Sequence, residues 1–121
     1  MKKFGFDDAA WEAAKAEGRE ALIACARDRK MIPYSAFVGH VHSISFEGPH
    51  DPRLRHFLGE ISSGEARAGR GMLTALVVHK HGDYQPGPGF FELAKSLGHD
   101  TSDIEKFWIQ EVKKVFAAWQ A

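Results

Sequence analysis

Several features that would assign a protein to a class are missing or scarce here. There is one cysteine, Cys25. A lone thiol closes no internal disulfide, so a hydrophobic core must hold the fold, and a reducing compartment, the cytoplasm, is the expected location. No run of about 18 apolar residues occurs, so no membrane-spanning helix is expected. The first residues carry two lysines with no apolar segment behind them, which does not read as a signal peptide. Neither sign of charge is in excess: Lys+Arg and Asp+Glu are 16 each, and the formal net charge is zero. That argues against a large electrostatic footprint for nucleic acid. HExxH, CxxC and GxSxG are absent, as are internal repeats, low-complexity tracts and linkers.

What is present suits one domain over residues 1–121, long enough to bury a core unaided. Residues 8 to 29 read as a helix capped by Asp7 or Asp8, with Trp11, Ala14, Gly18, Leu22 and Cys25 on one face. Gly18 costs about 1 kcal/mol against Ala in a helix, so it marks a close crossing or a break. Cys25 lies among alanines on the apolar face, as a small core residue does. Ser35 is placed to cap a short helix over Ala36 to His42, and Ser43 to Phe46 reads as a short strand. Asp51 followed by Pro52 is a strong helix start. Leu54, Phe57, Leu58 and Ile61 form the apolar face. Ser62 and Glu65 form a capping box for a further turn through Ala68, and Gly69 to Gly71 ends it.

Met72 to Lys80 is the clearest strand, nearly continuous in apolar residues. A turn at His81 to Asp83 and a short return strand at Tyr84 and Gln85 would complete a hairpin. Pro86 to Gly89 break regular structure. Phe90 to Leu97 reads as a helix closed by Gly98. The last helix, 103 to 119, has Ser102 and Glu105 as a capping box. Its apolar stripe is Ile104, Trp108, Val112, Val115 and Trp119, with Phe107 and Phe116 beside it. The fold class expected is α+β and winged-helix-like: mostly helical, with a small antiparallel sheet and an amphipathic C-terminal helix.

Three chemistries compete. The leading one is a non-catalytic binding module for DNA, needing no cofactor. Arg53, Arg55 and His56 occupy the first turn of a candidate recognition helix, where side chains enter a major groove. Lys80 and His81 would sit at a wing tip beside phosphates, with Arg70 flanking. The second is a small metal-dependent enzyme or metal-binding protein. On a strand, His79, His81 and Asp83 share one face, and two imidazoles with a carboxylate suit zinc or another divalent ion. His40 and His42 form a further pair that chelates on a strand but points about 200° apart on a helix. The third is protein interaction or homodimerisation through the aromatic C-terminal helix. A phosphate loop is excluded, because Pro88 and Gly89 stand where its lysine and hydroxyl would be, but the free N–H groups of the helix that Gly87 to Gly89 open are a place for an anion contact. Glu92 and Lys95, one turn apart, read as a solvated ion pair.

The motifs PHDPRL, FLGEIS, GRGML, VVHK and PGPGFFELA, with the aromatic C-terminal helix, resemble a family of small bacterial proteins without an assigned activity. The segment IPYSAF is also similar to the tyrosine-bearing turn that opens the winged-helix domain of alkyltransferase-like DNA-binding proteins. That resemblance implies a DNA contact for Tyr34. The family's Pro-Cys-His-Arg motif is missing, so alkyl transfer is not implied.

Overall fold

A computed structural model describes residues 2–48, 50–79 and 85–120. The chain opens with a feature its sequence did not announce. Strands β1 (Lys2–Lys3) and β2 (Phe6–Asp7) pair antiparallel, Lys3 opposite Phe6. Phe4 and Gly5 make the turn, both at positive φ (53° and 86°), the twist that tight hairpins need. Helix α1 (Asp8–Arg27) follows at once and buries Trp11, Ala14, Gly18, Leu22, Ile23 and Ala26. Gly18 marks a close crossing. A Cβ there would lie 3.0 Å from Phe37 Cζ and 3.3 Å from Phe57 Cε2. Cys25 is half-buried against the core, and burial pushes its thiol up, away from the reactive thiolate.

Strand β3 (Ile32–Pro33) runs straight into α2 (Tyr34–Gly39), which starts earlier than a Ser35 cap would place it. The strand expected at Ser43 to Phe46 does not form. Glu17 of α1 reaches across, accepting the His42 and Ser43 backbone N–H groups at 2.9 Å and the Ser43 hydroxyl at 2.7 Å. Its carboxyl is held below the usual range by those bonds, the Ser43 N–H foremost. With these donors satisfied by a side chain, the segment needs no strand partner there, and Val41 and Ile44 are buried without one.

Helix α3 (Pro52–Arg67) begins where Asp51 and Pro52 predict. The capping box at Ser62 and Glu65 is not used. Both lie inside one continuous helix and both are buried. Met72 to Lys80 is the larger correction. Leu73–Leu76 form a 3-10 turn, and among the described residues of this segment only Val77–Val78 form a strand, β4. Gly71 sits at φ 87°, the Met72 N–H is taken by the Glu111 carboxylate at 2.8 Å, and the Thr74 N–H by the Ser62 hydroxyl. The Ala75 carbonyl accepts the Trp108 indole N–H at 2.8 Å. Side chains from the flanking helices thus take the place of a β-ladder. The segment is enclosed on all sides, which is why its apolar pattern carries no period.

The core pairing also differs from the expected antiparallel sheet. Strand β4 runs parallel to β3, Ile32 opposite Val77 and Pro33 opposite Val78. The position of Pro33, which has no N–H to give, suits the edge of so short a pair. Beyond β4, the His79 N–H donates to the Gln85 carbonyl at 2.9 Å, so the chain has doubled back by then. The turn expected at His81 to Asp83 lies outside the described residues, as does the expected return strand's Tyr84.

Helices α4 (Pro88–Ser96) and α5 (Ile104–Ala118) complete the fold. Asp103, not Ser102, caps α5, accepting the Lys106 N–H. Phe107, Val112 and Val115 face the core, Ile104 is exposed, and Glu111 is buried among them. The architecture is α+β, mostly helical, around one hydrophobic core. Among the described residues no helix is long and apolar enough to cross a membrane.

Candidate functional site

A cavity of about 250 Å³ opens between the starts of α2, α3 and α4 and the 3-10 turn. Its floor is apolar: Leu54 and Leu58 from α3, Phe90 and Leu93 from α4. Polar groups stand around this floor: Tyr34, His50, Asp51, Arg55, Thr74 and His79. Each is placed by a local device. Tyr34 is the first residue after β3, and the parallel pairing of β3 with β4 sets it beside His79, one residue past β4. The two rings are 4.7 Å apart, tilted by 34°.

Gly87 completes this corner. Its N–H donates to the Tyr34 hydroxyl at 2.9 Å. A Cβ on Gly87 would lie 3.1 Å from His79 Nε2 and 3.4 Å from the Tyr34 hydroxyl, so glycine leaves room for both rings. Burial pushes the Tyr34 phenol up, more than the Gly87 bond lowers it, so it is a neutral hydrogen-bond donor at physiological pH. Its oxygen accepts from Gly87, and its own proton meets no acceptor among the described residues.

Asp51 has nothing left to offer. Oδ1 accepts the Arg53 N–H and Nε–H, and Oδ2 accepts the Glu47 N–H and an Arg53 Nη2 proton, at 2.7–3.0 Å. The Arg53 guanidinium, before the backbone bonds, holds this carboxyl well below the usual carboxylate range. Thr74 shares a short hydrogen bond with Ser62. Arg55 stands at the mouth, between the cavity and a polar groove on the α3–α4 surface that Lys15, His56 and Arg67 also line. It pairs with Glu92 of α4, and both side chains are more than half exposed. Gly89 lets the Arg55 stem pass, since a Cβ there would sit 2.9 Å from Nε.

The residues predicted from sequence are thus divided. Tyr34, Arg55 and His79 come together at the cavity. Arg53 is held by Asp51 and lies 4.5 Å over the Phe6 ring. His56 stacks on Phe4 at 4.7 Å. Arg70 is at the far end of α3, bonded to Glu65. Lys80, His81 and Asp83 lie outside the described residues, so His79 alone of the proposed metal set is placed. Among the described residues no group of three His, Cys, Asp or Glu is arranged to hold a metal ion. His40 caps the C-terminus of α2, and the neighbouring His42 N–H goes to Glu17. Glu92 pairs with Arg55 of α3. The aromatic residues of α5 are largely spent on the core: Phe107 is buried and Phe116 packs against it.

The cavity as a unit was not foreseen. Leu54, Leu58, Phe90 and Leu93 read as core, and a pocket floor has the same pattern. The available signal was the pair of rigid turns, Ile-Pro before Tyr34 and Pro-Gly-Pro-Gly before Phe90, each aiming an aromatic residue. Compared with protein-family models, curated proteins and solved structures, the chain matches none.

Proposed function

We propose that the chain is a binding module whose site is the cavity between the starts of α3 and α4, and that its ligand is a small molecule. The observation that carries this reading is the Tyr34–Gly87–His79 corner over an apolar floor. A concave, apolar space with a few convergent polar groups is the usual form of a small-molecule site. At about 250 Å³ the volume lies just below the usual range of that class and suits one ring with a polar substituent. Titrating the ¹⁵N-labelled chain with a mixed fragment library tests the reading. Hits should move the Tyr34, Leu58, His79, Gly87 and Phe90 amides together. No hits at millimolar concentration, or hits scattered elsewhere, would sink it.

A second reading, DNA binding by a winged-helix-like arrangement, is favoured by the groove beside the cavity, with Lys15, Arg55, His56 and Arg67 along it. Here α3 is the recognition helix, and Lys80 and His81, which lie outside the described residues, are the expected phosphate contacts. Binding would fall steeply with salt, and replacing Arg53 and Arg55 by Ala would weaken it and flatten the slope. The pairs Arg53–Asp51, Arg55–Glu92 and Arg70–Glu65 reduce the free positive charge, which places this reading second. Absence of duplex binding at low salt in an anisotropy titration would remove it.

A further inference from the structure

We infer that the ligand of the cavity carries an anionic group, a carboxylate or a phosphate, which Arg55 receives in exchange for Glu92. The inference rests on the cavity being a ligand site and adds the ligand's charge and the residue that recognises it.

The cavity wall has unspent hydrogen-bonding capacity on its donor side. Among the acceptors in the wall, Asp51 already takes two bonds on each oxygen. Thr74 is engaged with Ser62. Among the donors, the Tyr34 proton has no acceptor among the described residues, and Arg55 carries five N–H groups and pairs through Nη2 with Glu92. Setting aside the two imidazoles, which serve either way, the wall has donors to give and its carboxylate is saturated. A cationic ligand would leave those donors unanswered, and a neutral acceptor would answer them without matching the guanidinium's charge. An anionic one does both.

Magnitudes then decide between the two arginines. Arg53 is not exchangeable, because releasing it would strip a carboxylate whose side chain is 1% exposed. Losing both guanidinium bonds, with only the two backbone donors left to that carboxylate, costs about 1–2 kcal/mol. Arg55 and Glu92 are 56% and 66% exposed. Pairs of that kind are worth about 0–1 kcal/mol, so a ligand anion seated at the cavity mouth displaces Glu92 at little cost. It gains charge-assisted bonds in a less hydrated setting.

The test uses the full chain and four probes: phenyl phosphate and benzoate, with phenol and benzamide as neutral counterparts. Affinity is read from the shifts of the Tyr34 and His79 amides. The anions should bind about tenfold more tightly than their neutral counterparts. Arg55→Gln should abolish that preference. Glu92→Gln, which removes the competing carboxylate, should tighten the anions about threefold and leave the neutral probes unmoved. Both substitutions are at exposed positions, and the unperturbed amide spectrum elsewhere reports the fold. Equal binding of anions and neutral probes, or an anion preference indifferent to both variants, overturns the inference and leaves the cavity a ligand site. If none of the four shifts the cavity amides, the ligand-site reading falls, and this inference with it.

Discussion

The two ends of α3 treat polar side chains in opposite ways. At its C-terminal end, Ser62 and Glu65 are buried and fully engaged. Ser62 bonds Thr74, while Glu65 takes Arg19 Nε and Arg70 Nε at 2.5 Å each. Both guanidiniums also lie over the Trp119 ring, at 5.3 and 5.5 Å. One carboxylate thus ties α1, α3, the loop after α3 and the end of α5. At its N-terminal end, Asp51 is as saturated, but Arg55 reaches outward beside a cavity whose Tyr34 proton meets no acceptor among the described residues. Polar groups that are buried must be satisfied, and satisfying them makes a rigid joint. Polar groups left partly unsatisfied at a cavity mouth are available to a ligand. The same helix builds both.

The sharpest way to break this contrast is to remove Glu65. Glu65→Ala leaves two guanidiniums without their shared acceptor and a void in the packing. Because Arg19 and Arg70 remain partly solvated, at 36% and 39% exposure, the expected loss is about 2–3 kcal/mol, below that of a fully buried pair. Chemical denaturation measures it. Amide shifts at Tyr34 and His79 should stay in place, since the cavity is at the other end. If they move with the loss, the two ends are one unit and the contrast fails.

The same carboxylate predicts an acid signature. Burial pushes Glu65 up, but the guanidiniums of Arg70 and Arg19 outweigh it and bring the carboxyl below its ordinary value. A group depressed in the folded state stabilises fully above its unfolded pKa, about 4.3 for Glu. That contribution is lost as pH falls through the folded value. The stability gap between wild type and Glu65→Gln should therefore be constant near neutrality and shrink below about pH 4. A gap independent of pH down to acid unfolding would show that the carboxylate's charge is not what holds the joint.

Gly18→Ala sharpens the packing side of the comparison. Alanine gains about 1 kcal/mol of helix propensity over glycine. At this site its Cβ would press on Phe37 and Phe57, both fully buried rings with little room to yield. Overpacking of that kind costs about 1–3 kcal/mol, so the net change should be a destabilisation of about 1 kcal/mol. A melting temperature that rises instead would mean the α1–α3 crossing is looser than the distances imply.

How much of this was legible in the sequence depended on whether a signal was local. The Asp51–Pro52 start of α3, the helical pattern of α1 and the core face of α5 were legible, because capping and 3.6-residue periodicity are local properties. The fate of Met72 to Val78 was not. A segment buried on every side has no period to read, and its backbone partners, Glu111, Ser62 and Trp108, come from far along the chain. Ser62 and Glu65 misled for a related reason: a capping-box spacing in mid-helix is also the spacing of two residues on one buried face. At the site, Tyr34 and Arg55 were singled out as DNA contacts and His79 as a metal ligand. Nothing in their spacing said that a parallel β3–β4 pair would bring Tyr34 and His79 within one ring's breadth of each other.

The finest test compares two arginines on one turn. Arg53 and Arg55 carry the same charge and were given the same role from sequence. Arg53 binds a buried carboxylate through two nitrogens and covers Phe6. Arg53→Ala should cost about 1–2 kcal/mol, because Asp51 keeps its two backbone donors but loses both guanidinium bonds. Arg55 makes one exposed pair, so Arg55→Ala should change stability by less than about 0.5 kcal/mol. Parallel denaturation curves of the two variants read the difference directly. If Arg55→Ala costs as much as Arg53→Ala, its pair with Glu92 is a structural clamp between α3 and α4. A clamp does not exchange for a ligand, and the N-terminal end of α3 would then be built on the same terms as the other.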